Sequence, residues 1–96
     1  LRIKKCKNLI AAYELMVAKY YYGKGSYHAA IGRFTDLLKE FPEYKRAPEV
    51  LYMTALAYEK LNKSDDAIRY LQDLITKYPD SEYSRKAKET LASLKK

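Results

Sequence analysis

A 37-residue internal repeat is the feature that most narrows what this 96-residue chain can become. Ala18 returns as Ala55, Tyr21 as Tyr58, Ala30 as Ala67, Leu37 as Leu74, Phe41 as Tyr78 and Pro42 as Pro79. Gly25 gives way to Asn62 and Phe34 to Leu71. A recurring unit of this length is one supersecondary element whose apolar face is buried only by stacking on a neighbour.

Periodicity says what the element is. Residues 3 to 22 place apolar side chains at helical spacing without a proline, and Gly23 and Gly25 bracket a turn. From Ser26, the residues Tyr27, Ala30, Ile31, Phe34, Leu37, Leu38 and Phe41 form a stripe that stops before Pro42, so two antiparallel helices are expected. The polar EYKRA segment reads as a loop, and Pro48 suits the first turn of a third helix carrying Val50, Leu51, Ala55, Tyr58 and Leu61. Asn62 and Lys63 form the next turn. Ser64 is the expected N-cap of a fourth helix with Asp65 and Asp66 at its positive end and Ile68, Leu71, Leu74, Ile75 and Tyr78 on its apolar face. Asp80 or Ser81 would cap a last helix displaying Tyr83, Ala87, Leu91 and Leu94. No stretch alternates with period two, so no strand is expected. The chain divides into a first repeat (1–42), a second (43–79) and a closing helix (80–96) of a single repeat domain (1–96).

Ala18 with Ala30, and Ala55 with Ala67, supply the bulk-free positions that closely crossing helices need, while Phe34 and Leu71 fill the matching deep site. Ala18, Tyr21, Gly25, Tyr27, Ala30, Phe34 and Pro42 fall on the spacing of the tetratricopeptide repeat, and the second copy matches through Ala55, Tyr58, Ala67, Leu71 and Pro79. The departures are the turn glycine replaced at Asn62, no tryptophan in the first helix, and three residues beyond the usual period of about 34, expected in the loop before the third helix. The fold class is thus all-α: a right-handed tetratricopeptide-like solenoid of two helix hairpins plus a closing helix.

The segment ELMVAKYYYGKGSYHAAIGRF resembles more particularly the carboxy-terminal repeats of the BamD family of outer-membrane β-barrel assembly lipoproteins, through Glu14, Val17, Ala18, Tyr21, Gly25, Tyr27, Ala29, Ala30, Arg33 and Phe34. FPEYKRAPEVLYMTALAYEKL fits that family's next repeat more loosely and equally fits a Tol-associated periplasmic repeat domain. The BamD resemblance implies a non-catalytic scaffold on the periplasmic side of the outer membrane. Its implied partners are the POTRA region of the barrel-forming subunit BamA and other assembly-complex subunits, with membrane attachment only through a lipidated N-terminus. A generic peptide-binding repeat is the alternative, and a basic nucleic-acid or lipid-surface adaptor ranks last.

Composition agrees with a scaffold. The formal charge of +7 comes from 19 basic residues interleaved with 12 acidic ones, and no apolar run approaches the roughly 18 residues a membrane span needs. Clusters at Arg2, Lys4, Lys5, Lys7 and at Arg85, Lys86, Lys88, Lys95, Lys96 read first as solvated helix surface, then as a face for acidic partners or lipid headgroups. Nucleic acid is not expected, because no recognised binding motif accompanies them. Leu1 in place of Met and the lack of an apolar signal core point to an internal or processed piece. Cys6 is expected as a buried small hydrophobe on a stripe with Ile3, Ile10, Tyr13 and Val17. His28 has no metal-spaced companions, and Asp65 and Asp66 are adjacent cap residues rather than facing carboxylates, so neither a cofactor nor an enzyme is expected.

The first helix of each tetratricopeptide pair lines a groove. Family spacing sends Leu15, Lys19 and Tyr22 there from the first helix, Tyr52, Leu56 and Glu59 from the third, and Lys86 and Glu89 from the last. These eight residues are the expected partner-binding surface. Exposed apolar ends of so short a solenoid could also drive self-association.

Overall fold

The computed structural model describes the backbone of residues 2–94 and the side chains of residues 9–94. Five helices follow in order: α1 (Arg2–Gly23), α2 (Tyr27–Glu40), α3 (Ala47–Lys60), α4 (Ser64–Lys77) and α5 (Glu82–Leu94). Among the described residues there is no strand. Successive helices pack on each other, and α3 also meets α5. This is the all-α, tetratricopeptide-like arrangement expected, with two hairpins and a closing helix.

The repeat register holds down to single hydrogen bonds. Gly25 ends α1 in the left-handed region at φ +84°, and Asn62, its counterpart 37 residues on, ends α3 at φ +62°. Around Gly25, the Ser26 N–H donates to Tyr21 O at 2.9 Å and the Gly25 N–H to Tyr22 O at 3.1 Å. Around Asn62, Lys63 donates to Tyr58 O at 2.9 Å and Asn62 to Glu59 O at 3.0 Å. Both turns are therefore Schellman closures, and asparagine takes the place of glycine because its side chain tolerates positive φ. Only Lys63 separates Asn62 from α4, so Lys63 holds the cap position and Ser64, the expected cap, begins the helix; no side chain caps it. Ser81 does cap α5, its Oγ accepting the Tyr83 N–H at 3.1 Å.

The core forms two linked clusters. One joins Ala11, Leu15 and Ala18 of α1 to Ala30, Phe34 and Leu37 of α2, with Tyr44 and Val50. The other joins Leu51 and Ala55 of α3 to Leu71 and Leu74 of α4 and Ala87 of α5. Ala18, Ala30, Phe34, Ala67 and Leu71 are wholly buried, the close-contact and deep sites that the repeat implies.

Three further expectations are corrected. The buried line of α1 is Ala11, Leu15 and Ala18, with Tyr22 packed against the same cluster; Ile10 and Tyr13 are exposed and Val17 only partly covered. The expected stripe is turned away from α2 because α1 presents its small alanines to that helix, and adjacent residues point about 100° apart. Ile3 and Cys6, placed on the same stripe, lie outside the described side chains. Leu15, expected in the groove, is 2% exposed and wedged among Ala11, Phe34 and Val50, so it is a core residue. Tyr44, in the segment that reads as a polar loop, is buried in the first cluster, and its carbonyl accepts the Ala47 N–H at 3.0 Å to start α3.

Candidate partner-binding face

The odd-numbered helices share one face, and polar and aromatic contacts sew it together. Between α1 and α3, the Lys19 Nζ forms a salt bridge with the Glu49 carboxylate, whose Oε1 also accepts from Arg46 Nε at 2.9 Å and pairs with Arg46 Nη2 at 2.7 Å. Glu49 is 8% exposed. Burial alone would raise its carboxyl, but the hydrogen bonds from Lys19 and Arg46 and the two nearby positive charges outweigh that and hold it below the ordinary carboxylate value. Arg46 is raised in turn, chiefly by its bond to Glu49.

Further along the face lies a set of phenols. Tyr22 meets Tyr27 edge to face at 5.3 Å between ring centroids. Its hydroxyl is pushed above the usual phenol value by burial first and then by Tyr27, Glu59 and Tyr52, which brings α1 and α3 residues into one electrostatic neighbourhood. Tyr52 lies 5.7 Å from Tyr83 of α5, and its hydroxyl is 3.4 Å from Thr90 Oγ1. Lys86 stands 5.3 Å from the Tyr83 ring. A depression of about 350 Å³ opens at the N-terminal ends of α3 and α5, lined by Arg46, Glu49, Ser81 and Tyr83 among others.

Of the eight expected site residues, Lys19, Tyr22, Tyr52, Glu59 and Lys86 thus belong to one connected surface. Leu56 is partly covered and Glu89 exposed on the same helices, and Leu15 is withdrawn into the core. Glu49, Arg46, Tyr83 and Thr90 join the face without a signal in the sequence pattern. Glu49 resembles an ordinary first-turn acid after Pro48, and nothing local announces a partner 30 residues earlier. Tyr83 falls by spacing on the apolar face of α5; it packs on the second cluster and still reaches Tyr52.

Phenols and lysine stems offer broad, stiff contact area with polar tips, suited to an extended or helical segment laid across the face. Among the described residues no group of three or more His, Cys, Asp or Glu could hold a metal ion, and no helix is long and apolar enough to cross a membrane. Residues 1–70 match the YfiO family, described as an outer membrane lipoprotein. The chain belongs to that family. Within it, the chain is 29% identical over 83 residues to the outer membrane protein assembly factor BamD of Rickettsia prowazekii, 86% of this chain and 33% of the relative. It is 30% identical over 82 residues to BamD of Neisseria gonorrhoeae, 85% and 31% of the two chains. Against BamD of Haemophilus influenzae it is 33% identical over 60 residues, 62% and 23%. The chain spans about a third of the length of the first two relatives. Membership of the YfiO family places it at the bacterial outer membrane.

Proposed function

We propose that this chain is a non-catalytic scaffold segment for outer-membrane β-barrel assembly, working on the periplasmic side and recognising a protein segment across the face of α1, α3 and α5. The observation that carries the reading is the Tyr22, Tyr52 and Tyr83 array on the surface that Lys19 and Glu49 bridge, in a chain of the YfiO family. Aromatic residues are the side chains most enriched at binding hot spots, and these three are anchored at their bases by the core rather than loose in solvent. The partner proposed is the POTRA region of the barrel-forming subunit BamA, and the repeat division 1–42, 43–79 and 80–96 is proposed as the unit structure behind it. The three relatives named above are BamD factors, which favours this reading over a Tol-associated one.

The test is a titration of purified POTRA region against the chain and its Tyr22→Ala/Tyr52→Ala variant. Affinity should fall at least about tenfold, the equivalent of roughly 1.4 kcal/mol. Because Tyr22 and Tyr52 also pack on the core, Lys86→Glu at an exposed position of the same face is run beside it and should weaken binding in the same direction. Unchanged affinity in both variants would sink the proposal.

A further inference from the structure

The two joints between the odd-numbered helices are built differently. Among the described residues, α3 and α5 pack on each other directly, whereas α1 and α3 meet chiefly through side chains. The links agree with this: residues 78–81 join α4 to α5, and the longer stretch 41–46 joins α2 to α3. Adding 37 to Lys19, Arg46 and Glu49 gives Leu56, Tyr83 and Lys86, so the same three register positions serve both joints. At the second joint Tyr83 packs on the second cluster and lies 5.7 Å from the Tyr52 ring, with Lys86 over it at 5.3 Å. At the first the three positions carry charges. Lys19 of α1 meets the Glu49 carboxylate, and Arg46 holds the same carboxylate through Nε at 2.9 Å and Nη2 at 2.7 Å. Where the helices stand apart, an ionic clamp takes the place of packing.

The two cations of the clamp do different work. Arg46 lies one helical turn before Glu49 on the same stretch of chain, so it neutralises the carboxylate without tying the repeats together. Lys19 reaches it from the other repeat. Glu49 is 8% exposed, and a carboxylate so enclosed holds its partners firmly because releasing one leaves its charge less well compensated. Tyr22 follows Lys19 by one turn on α1, and Tyr52 follows Glu49 by one turn on α3, so each phenol shares a helix side with its own half of the clamp. We infer that Glu49 is a positioning residue: its bridge to Lys19 sets the opening between α1 and α3, and through it the separation of the Tyr22 and Tyr52 phenols one turn further along. That the phenols receive a partner rests on the proposed function; the opening itself is a property of the chain.

Spin labels on Lys24→Cys and Lys60→Cys, exposed positions beside the C-terminal ends of α1 and α3, report the opening as a distance distribution in a Cys6→Ala background. Lys19→Met removes the charge and leaves Glu49 paired with Arg46, so no buried charge is stranded. It should broaden the distribution toward longer distances with the helical circular dichroism kept, and Lys19→Arg should restore the narrow one. Glu49→Gln should broaden it likewise and lower affinity for the POTRA region at least about threefold, although so enclosed a residue offers a partner little surface. A contribution to stability alone would lower the melting temperature and leave distribution and affinity where they are. An unchanged distribution in Lys19→Met overturns the inference, and so does a broadened one in Glu49→Gln with POTRA affinity unaltered. If the wild-type chain does not bind the POTRA region, the proposed function falls, and the distance comparison alone decides whether Glu49 sets the opening.

Discussion

Position for position, the two repeats differ less in their cores than in what surrounds their first helices. Ala18 and Ala55, Ala30 and Ala67, Phe34 and Leu71, and Leu37 and Leu74 are buried in both. Leu15 and Tyr52 share a register position, yet Leu15 is core and Tyr52 is half-covered beside Tyr83. Val50 is buried while its counterpart Tyr13 stands in solvent. Among the described residues, α3 lies between α2 and α4 and meets α5 as well, whereas α1 packs chiefly on α2. A repeat therefore transmits the contacts inside a hairpin faithfully, and leaves the contacts between hairpins to be decided by position in the stack.

Substitutions at paired positions probe that distinction, the largest effect first. Phe34→Ala and Leu71→Ala should each be strongly destabilising, Phe34→Ala by about 3–5 kcal/mol, because both sites are wholly buried. Leu15→Ala should cost about 2–5 kcal/mol, and Tyr52→Ala clearly less, when both are followed by urea denaturation; equal losses would erase the difference between the repeats. Glu49→Gln should cost about 1–2 kcal/mol at neutral pH, discounted because Lys19 and Arg46 are partly solvated. The Glu49 carboxyl is lower in the folded chain than in the unfolded one, so the unfolded chain takes up the proton first. Its contribution is complete above the ordinary carboxylate value of about 4.5 and is lost as pH falls through the depressed folded value. The gap between wild type and Glu49→Gln should accordingly close on acidification.

Smaller effects test the turns and the last helix. Gly25→Ala should cost about 1–2 kcal/mol purely through its positive φ, since a Cβ there would meet nothing within 4 Å, while Asn62→Gly should change stability by less than about 0.5 kcal/mol. A large loss from Asn62→Gly would show that the asparagine side chain, and not the backbone alone, closes the second turn. The Ser84 Oγ is buried without a hydrogen-bond partner, and its register counterpart is Ala47. Ser84→Ala should therefore raise the melting temperature slightly, with a gain of up to about 1 kcal/mol.

Much of the fold is legible in the order of residues alone. Helix spacing, prolines at the ends and the alanine pairs specify local geometry, so the elements and the Phe34 and Leu71 sites can be read directly. The rotation of α1 cannot. Its sequence offers two apolar lines, Ile10 with Tyr13 and Ala11 with Leu15, and only the neighbouring helices decide which one is buried. The same limit shows at the proposed binding face, where family spacing sends Lys19, Tyr22 and Tyr52 to the surface shared by α1 and α3 but sends Leu15 there as well, although it is buried. Glu49 is not reached by that spacing, because its meaning depends on a lysine two helices away.

Packing between successive helices has a kinetic corollary. A chain whose hairpins close locally has little loop entropy to overcome before contacts form, so either hairpin can nucleate and the rest can add one helix at a time. It also sets how the structure comes apart. α1 is held mainly by α2, and the second cluster draws on α3, α4 and α5, so heating should release the first hairpin before the remainder melts. Among the described residues cooperativity is then graded from the second cluster to the first, and a partner held against Lys19 and Tyr22 would stiffen the hairpin that opens first.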